Sequence, residues 1–370
     1  MAKLFARSPY IIEVDESSVI GSLLDIRLYY SGTSVPSNPT YELKKAIPSS
    51  SNLKMYYDIS PYVREYLKFN TRQTVIGSGV STGVAANNNN QMVLCQVIRY
   101  KQLTGGSYSV LDTTTYYCMD GYGYYSEGAN IDLGKWSLPQ STYYYKYSAA
   151  SNPTSVEADR AGLMGVLLEG AVADIKYTNL VSGATNIVSN PFATNDLYDV
   201  PTVWYDYYAD GNTMEIWDNL GGGSPTLLGT WTFKPKCEPK YTPIMIDFVN
   251  KYGCWQREWF YKASKNKIKT KESVYNLMQT SSHSYSTLEG QRKAFNNNGE
   301  ETITCNTGNV AEGYSETIQQ IFLSERILVD SLPVIVDTKS LEKIKGVNAD
   351  KPMNYTLTFK YAFDAINSVI

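Results

Sequence analysis

His283 is the single histidine of the 370-residue chain, so any catalytic arrangement that needs an imidazole must use it. It sits in Ser281-Ser282-His283-Ser284-Tyr285, a polar stretch with strand-like alternation. An exposed or hydrogen-bonded histidine is the expected reading there, and a general base the exceptional one. No Gly-x-Ser-x-Gly nucleophile elbow occurs. Paired carboxylates for glycoside hydrolysis are offered by Asp206 and Asp210 in Trp204-Tyr205-Asp206-Tyr207-Tyr208-Ala209-Asp210, since alternate residues of a strand share a face. A hairpin turn at Asp210-Gly211-Asn212 explains Asp210 equally directly and is preferred, because Asp-Gly tolerates the positive φ of tight turns. Gly221-Gly222-Gly223-Ser224 lacks the Lys-Ser/Thr and the following helix that a phosphate-cradling loop needs.

The five cysteines, Cys95, Cys118, Cys237, Cys254 and Cys305, are odd in number and form no Cys-x-x-Cys pair. With one histidine, they leave no ligand spacing for zinc, and no EF-hand loop is present. They are expected to be free, mostly buried thiols of a reducing cytoplasm. No catalytic residue, cofactor site or metal site is therefore assigned, and the chain is expected not to be an enzyme.

What stands out instead is tyrosine: 32 residues against 10 phenylalanines and 6 tryptophans. They come in runs, including Tyr116-Tyr117, Tyr143-Tyr144-Tyr145 and Tyr207-Tyr208. Neighbours on a strand point to opposite faces, so such runs cannot all be core. Tyr143, Tyr144, Tyr145, Tyr207 and Tyr208 are the candidate protein–protein interface, tyrosine being enriched in interface cores. The alternatives are stacking platforms for carbohydrate, which would draw on Trp136, Trp204, Trp217 and Trp231, and ordinary β propensity on a half-exposed sheet.

Short apolar runs with period-two alternation, separated by Gly, Asn, Ser and Pro clusters, position these residues on strands. The fold class is mainly β: tandem β-sandwich domains of immunoglobulin or fibronectin type, and a C-terminal α+β domain with hairpins and one helix. The division expected is 1–150, an N-terminal β-sandwich; 151–234, a second β-rich domain; and 235–370, an α+β assembly domain. In the first, Pro61 opens a short helix over 62–69, and residues 77–91, with four consecutive asparagines, form a long mobile loop or an arm that orders on a neighbour. Strands are expected at 108–111 and 115–119, and residues 148–159 form a linker. In the last domain, Lys251-Tyr252-Gly253 turns a hairpin whose first arm shows Ile244, Ile246 and Phe248 on one face. Asn297-Asn298-Gly299 is read as a second turn. Residues 311–325 form a helix with the apolar stripe Tyr314, Ile318, Ile321, Phe322. The last strand, 355–363, alternates as an edge or one-sided strand does.

Hydrophobic residues at 43% and charged residues at 19% describe an ordinary folded protein. A net charge of −3 is not that of a protein built to neutralise phosphates, and specific nucleic-acid binding is not expected. The one short basic run, 262–271, reads as a solvated strand edge or loop. No stretch is long and apolar enough to span a membrane or to serve as a signal peptide. The chain is expected to be made in a cytoplasm and, if it ends up outside a cell, to leave by lysis rather than by secretion.

Several strings resemble a known group. Leu4-Phe5-Ala6-Arg7-Ser8-Pro9-Tyr10 and Tyr57-Asp58-Ile59-Ser60-Pro61-Tyr62-Val63-Arg64-Glu65-Tyr66 resemble the start of structural proteins in phages of Bacteroidetes hosts, the crAss-like phages among them. Similar C-terminal strings are Phe248-Val249-Asn250-Lys251-Tyr252-Gly253, Asn306-Thr307-Gly308, Leu323-Ser324-Glu325-Arg326 and Asn354-Tyr355-Thr356-Leu357-Thr358-Phe359-Lys360-Tyr361. The resemblance extends over the first seventy and the last hundred and thirty residues, about half the chain, and contains no active-site motif. The resemblance implies a virion component: a tail or neck ring, tail-barrel or baseplate subunit. It would form a cyclic homo-oligomer, a hexamer or dodecamer, and contact other tail, portal-proximal or baseplate proteins. A phage module that binds host glycan through aromatic platforms is the alternative.

Overall fold

The computed structural model describes residues 2–68, 85–86, 91–131, 163–167, 173–190, 197–201, 210–218, 220, 223–234, 240–277, 288, 290–310, 312–340 and 353–367. The chain is mainly β, arranged in several sheets with two α-helices among the described residues. It divides into two compact units: Met1–Glu238 with Val249–Arg257, and Pro239–Phe248 with Glu258–Ile370.

The first unit is built on strands β1 (Ala2–Phe5), β2 (Ile11–Val14), β3 (Val19–Tyr30), β4 (Tyr41–Ala46), β5 (Met55–Asp58), β6 (Ala85–Ala86), β7 (Met92–Leu103) and β8 (Tyr108–Met119). One sheet runs β1-β8-β7-β3-β4, parallel only between β1 and β8, and β2 pairs with β5. Residues 108–119 form one strand rather than two, because the irregularity at Arg99/Tyr100 lets the ladder continue through 112–114. Leu24, Ile26 and Leu28 of β3 and Val93, Cys95 and Val97 of β7 alternate into one buried cluster with Met55, Tyr57, Ile59 and Val63. Helix α1 (Ser60–Tyr66) contributes Val63 to it. The helix begins two residues before the expected position, where Ser60 is held: its hydroxyl donates to the Ser8 carbonyl at 2.6 Å and accepts from the Tyr10 amide at 2.8 Å. The similar strings at the N-terminus thus bind each other.

Farther along lie β9 (Leu163–Leu167), β10 (Ala173–Asn179), β11 (Thr185–Val188), β12 (Leu197–Pro201), β13 (Asn212–Asp218) and β14 (Thr226–Phe233). They form a sheet in the order β11-β10-β13-β14 and a smaller one in the order β6-β12-β9. Within the stretch read as a mobile loop, Ala85–Ala86 is paired with Asp199 and Tyr198. The remainder of that loop up to residue 90 and the linker at 148–159 lie outside the described residues.

The second unit carries β15 (Ile244–Val249), β16 (Trp255–Phe260), β17 (Lys265–Asn276), β18 (Arg292–Asn306), helix α2 (Tyr314–Leu323), β19 (Ile327–Val329), β20 (Leu332–Val336) and β21 (Thr356–Asp364), with the tip of the β15–β16 hairpin assigned to the first unit. The sheet order is β16-β15-β19-β20-β21-β18-β17. Its core holds Ile246, Phe248, Ile303, Val329, Leu357 and Phe359. In α2 the stripe Tyr314, Ile318 and Ile321 is buried, and the Tyr314 hydroxyl donates to Glu258 Oε2 at 2.9 Å. The last strand is one-sided but internal, lying between β20 and β18.

The hairpin turn at Lys251-Tyr252-Gly253 is real, and its side chains explain its sequence. Asn250 Oδ1 accepts the amides of Tyr252 at 3.0 Å and Cys254 at 3.2 Å, which closes the turn. Gly253 has φ +81°, and a Cβ there would meet the Asp120 and Gly121 amide nitrogens at 2.7 Å. Lys251 is buried: its ammonium pairs with Glu127 at 2.6 Å and lies over the Tyr124 ring. Asn306-Thr307-Gly308 likewise meets Asn354-Tyr355-Thr356, Thr307 and Tyr355 exchanging two hydrogen bonds of 2.9 and 3.0 Å. These strings are structural.

Candidate contact surface

β17 has the sequence Lys-Asn-Lys-Ile-Lys-Thr-Lys-Glu-Ser-Val-Tyr-Asn, and every one of its twelve residues is exposed. Such a strand has no buried face of its own; its backbone is fixed by the antiparallel ladder to β18, from Lys265↔Thr304 to Asn276↔Arg292. β21 flanks β18 as far as Glu300↔Asp364, and Asn298 then clamps the chain that follows. Its side-chain oxygen accepts the Ile366 amide at 2.9 Å and its amide donates to the Ile366 carbonyl at 3.0 Å. Beyond that point β17 and β18 continue as a two-stranded ribbon whose first β18 residues, 292–297, are exposed.

The expected turn at Asn297-Asn298-Gly299 is therefore replaced by a bulge inside β18. One residue of β17, Glu272, opposes two of β18, Asn296 and Asn297, between Lys271/Asn298 and Ser273/Phe295, and Asn296 takes φ +53° there. Asparagine tolerates the left-handed region, which is why the string read as a turn.

Alternation sorts the side chains of β17 by face. Lys265, Lys267, Lys269 and Lys271 share one face, and Asn266, Ile268 and Thr270 the other. Farther along, Tyr275 falls on the lysine side and Val274 on the opposite one. Tyr275 packs edge-on against Phe295, ring centroids 5.5 Å apart, as diagonal neighbours across the ladder. Both rings remain about half exposed, as does Val274, and Ile268 is 61% exposed. The ribbon thus presents apolar surface on both faces.

On the lysine face, Glu300 is bound by Lys271 and by Lys360, the latter at 2.7 Å. The hydrogen bond from Lys271, and then that from Lys360, hold its carboxyl down at about 2. Lys265, Lys267 and Lys269 have no ion-pair partner among the described residues.

No family model matches the chain, and no curated protein does.

The residues singled out for chemistry fare differently. His283, Asp206 and the interface candidates Tyr143, Tyr144, Tyr145, Tyr207 and Tyr208 lie outside the described residues, as do Trp136, Trp204 and Cys237. Asp210 is in a turn: its Oδ2 accepts from Asn179 Nδ2 at 3.0 Å beside Gly211, φ +77°. Trp231 is buried, and the Trp217 indole donates to Glu215 at 2.9 Å, so Trp231 offers no platform to a sugar. Cys95, Cys118, Cys254 and Cys305 are buried and in no disulfide. Burial pushes the Cys305 thiol up to about 12, which keeps it protonated and unreactive. No group of three His, Cys, Asp or Glu that could hold a metal occurs among the described residues.

The basic run 262–271, read as a solvated strand edge or loop, is an exposed edge strand from Lys265 on; its continuation to Asn276 and its pairing with β18 were missed in the sequence. The only signal was a lysine at every second position from 265 to 271, which marks a strand with one charged face but says nothing of its partner.

Proposed function

We propose that the chain is a structural, non-enzymatic subunit of a bacteriophage tail or neck, assembling with copies of itself into a ring and joining adjacent tail layers. The observation that supports this reading is the β17–β18 ribbon, which exposes Val274 on one face and Tyr275 and Phe295 on the other. A ribbon open on both faces gains little as part of a monomer, because an isolated two-stranded ribbon is marginal in water. It fits an arm that is covered when a neighbouring subunit packs on it. In a ring each subunit offers different surfaces to its two neighbours, so such a contact is heterologous. A stable one should bury at least about 1,000 Å² in all. The similarity of the hairpin-turn and N-terminal strings to phage structural proteins agrees with this reading, and those strings serve packing and turn formation rather than catalysis.

Purified chain should form rings or short polymers visible by negative-stain electron microscopy and sedimentation, and antibodies raised against it should decorate phage tails. A species that stays monomeric at high concentration and is missing from particles would overturn the reading.

A further inference from the structure

Five lysines, Lys265, Lys267, Lys269, Lys271 and Lys360, lie on one face of the β17–β18–β21 sheet against two carboxylates, Glu300 and Asp364. Glu300 is occupied by Lys271 and Lys360, which leaves Lys265, Lys267 and Lys269 as a row of uncompensated charges among the described residues. Residues two apart on a strand are about 6.7 Å apart, so the four lysines of β17 make a straight line of about 20 Å. β17 is the last strand of its sheet, and all of its residues are exposed.

Lysines on an edge strand also discourage pairing with stray strands. That purpose is served by charge on either face, whereas here the four lysines share one and Asn266, Ile268 and Thr270 take the other. Concentrated on one face, ammonium groups act as point charges for phosphate oxygens. Ile268, the one large apolar residue of the lysine stretch, lies on the opposite face, so no apolar side chain stands among the four lysines to insert into a lipid surface. The nearest exposed rings, Tyr275 and Phe295, are packed against each other at the far end and do not form a series of stacking platforms for unpaired bases.

We propose that the lysine face of β17 binds the phosphate backbone of double-stranded DNA without regard to base sequence. The chain as a whole is negative, so the attraction is local and depends steeply on salt.

The test is fluorescence anisotropy of a labelled random-sequence DNA duplex titrated with the full chain, beside the same strand unpaired, polyglutamate and anionic phospholipid vesicles. Duplex binding is expected with Kd of roughly 1–100 µM near physiological salt, tighter at roughly 50 mM and falling as salt rises, with no dependence on base sequence. Lys267→Glu with Lys269→Glu should weaken it by about tenfold or more and reduce the slope of log K against log salt by about 2. Lys44→Ala, exposed on β4 of the other unit, should leave it unchanged. Both β17 positions are exposed, so the melting temperature of the double variant should match that of the parent. Absence of duplex binding at low salt, equal binding by the double variant, or preference for the single strand, polyglutamate or vesicles would overturn the proposal.

Discussion

The Lys251 ammonium lies 2.6 Å from the Glu127 carboxylate, and the two members of the pair are unequally buried: the lysine side chain is 6% exposed and the glutamate side chain 32%. The inequality makes the pair directional. Burial raises the Glu127 carboxyl, but the bond from Lys251, the bond from the Tyr124 amide and the Lys251 charge together outweigh it and leave the group below its ordinary value. Glu127→Gln deprives a buried ammonium of its carboxylate, while Lys251→Met leaves a carboxylate that water can reach. We expect Glu127→Gln to cost about 1–3 kcal/mol and Lys251→Met less, measured by urea unfolding. The reverse order would show that the lysine contributes through its stem rather than its charge.

Gly253 supplies a second, independent test of the same turn. Gly253→Ala forces a Cβ into a left-handed residue and into backbone atoms of Asp120 and Gly121. The expected loss is at least about 2 kcal/mol. An unchanged denaturation midpoint would mean that this turn can shift freely.

Glu300 carries the pH dependence of the lysine face. Its folded-state carboxyl lies at about 2, below the ordinary glutamate value of 4.5, held there by Lys271 and Lys360. A depressed carboxylate stabilises the fold fully above its unfolded value, and the contribution is lost as pH falls from about 4.5 toward about 2. The difference in melting temperature between the parent and Glu300→Gln should therefore be widest near neutral pH and shrink through that window. A difference that does not change with pH would argue against an ionic role.

Tyr275 and Phe295 should matter for association and not for folding. Both are about half exposed, and their rings pack edge-on against each other. Tyr275→Ser with Phe295→Ser should shift sedimentation toward the monomer while leaving the circular-dichroism melt within a few degrees of the parent. Unaltered assembly would remove the ribbon tip from the contact.

Much of the framework was legible in the residues alone. Where apolar residues alternate along a strand, the period-two pattern marks the apolar face: Leu24, Ile26 and Leu28 in β3, Ile246 and Phe248 in β15, Leu357 and Phe359 in β21. Turns with their own chemistry were equally readable, because Asn250 and Gly253, or Asp210 and Gly211, satisfy local backbone needs within a few residues.

The ribbon was decided elsewhere. β17 buries nothing, so it has no apolar face to betray it, and it is a strand only because β18 supplies its hydrogen bonds. Asn297-Asn298-Gly299 looks like a turn until the Ile366 backbone, 68 residues along the chain from Asn298, takes up the Asn298 amide. Chain alternation by itself could place four lysines on one side of a strand. Only long-range pairing could put that strand at the end of a sheet, set Lys360 and Glu300 beside it, and leave three of its charges facing water, because those neighbours come from segments far apart in sequence.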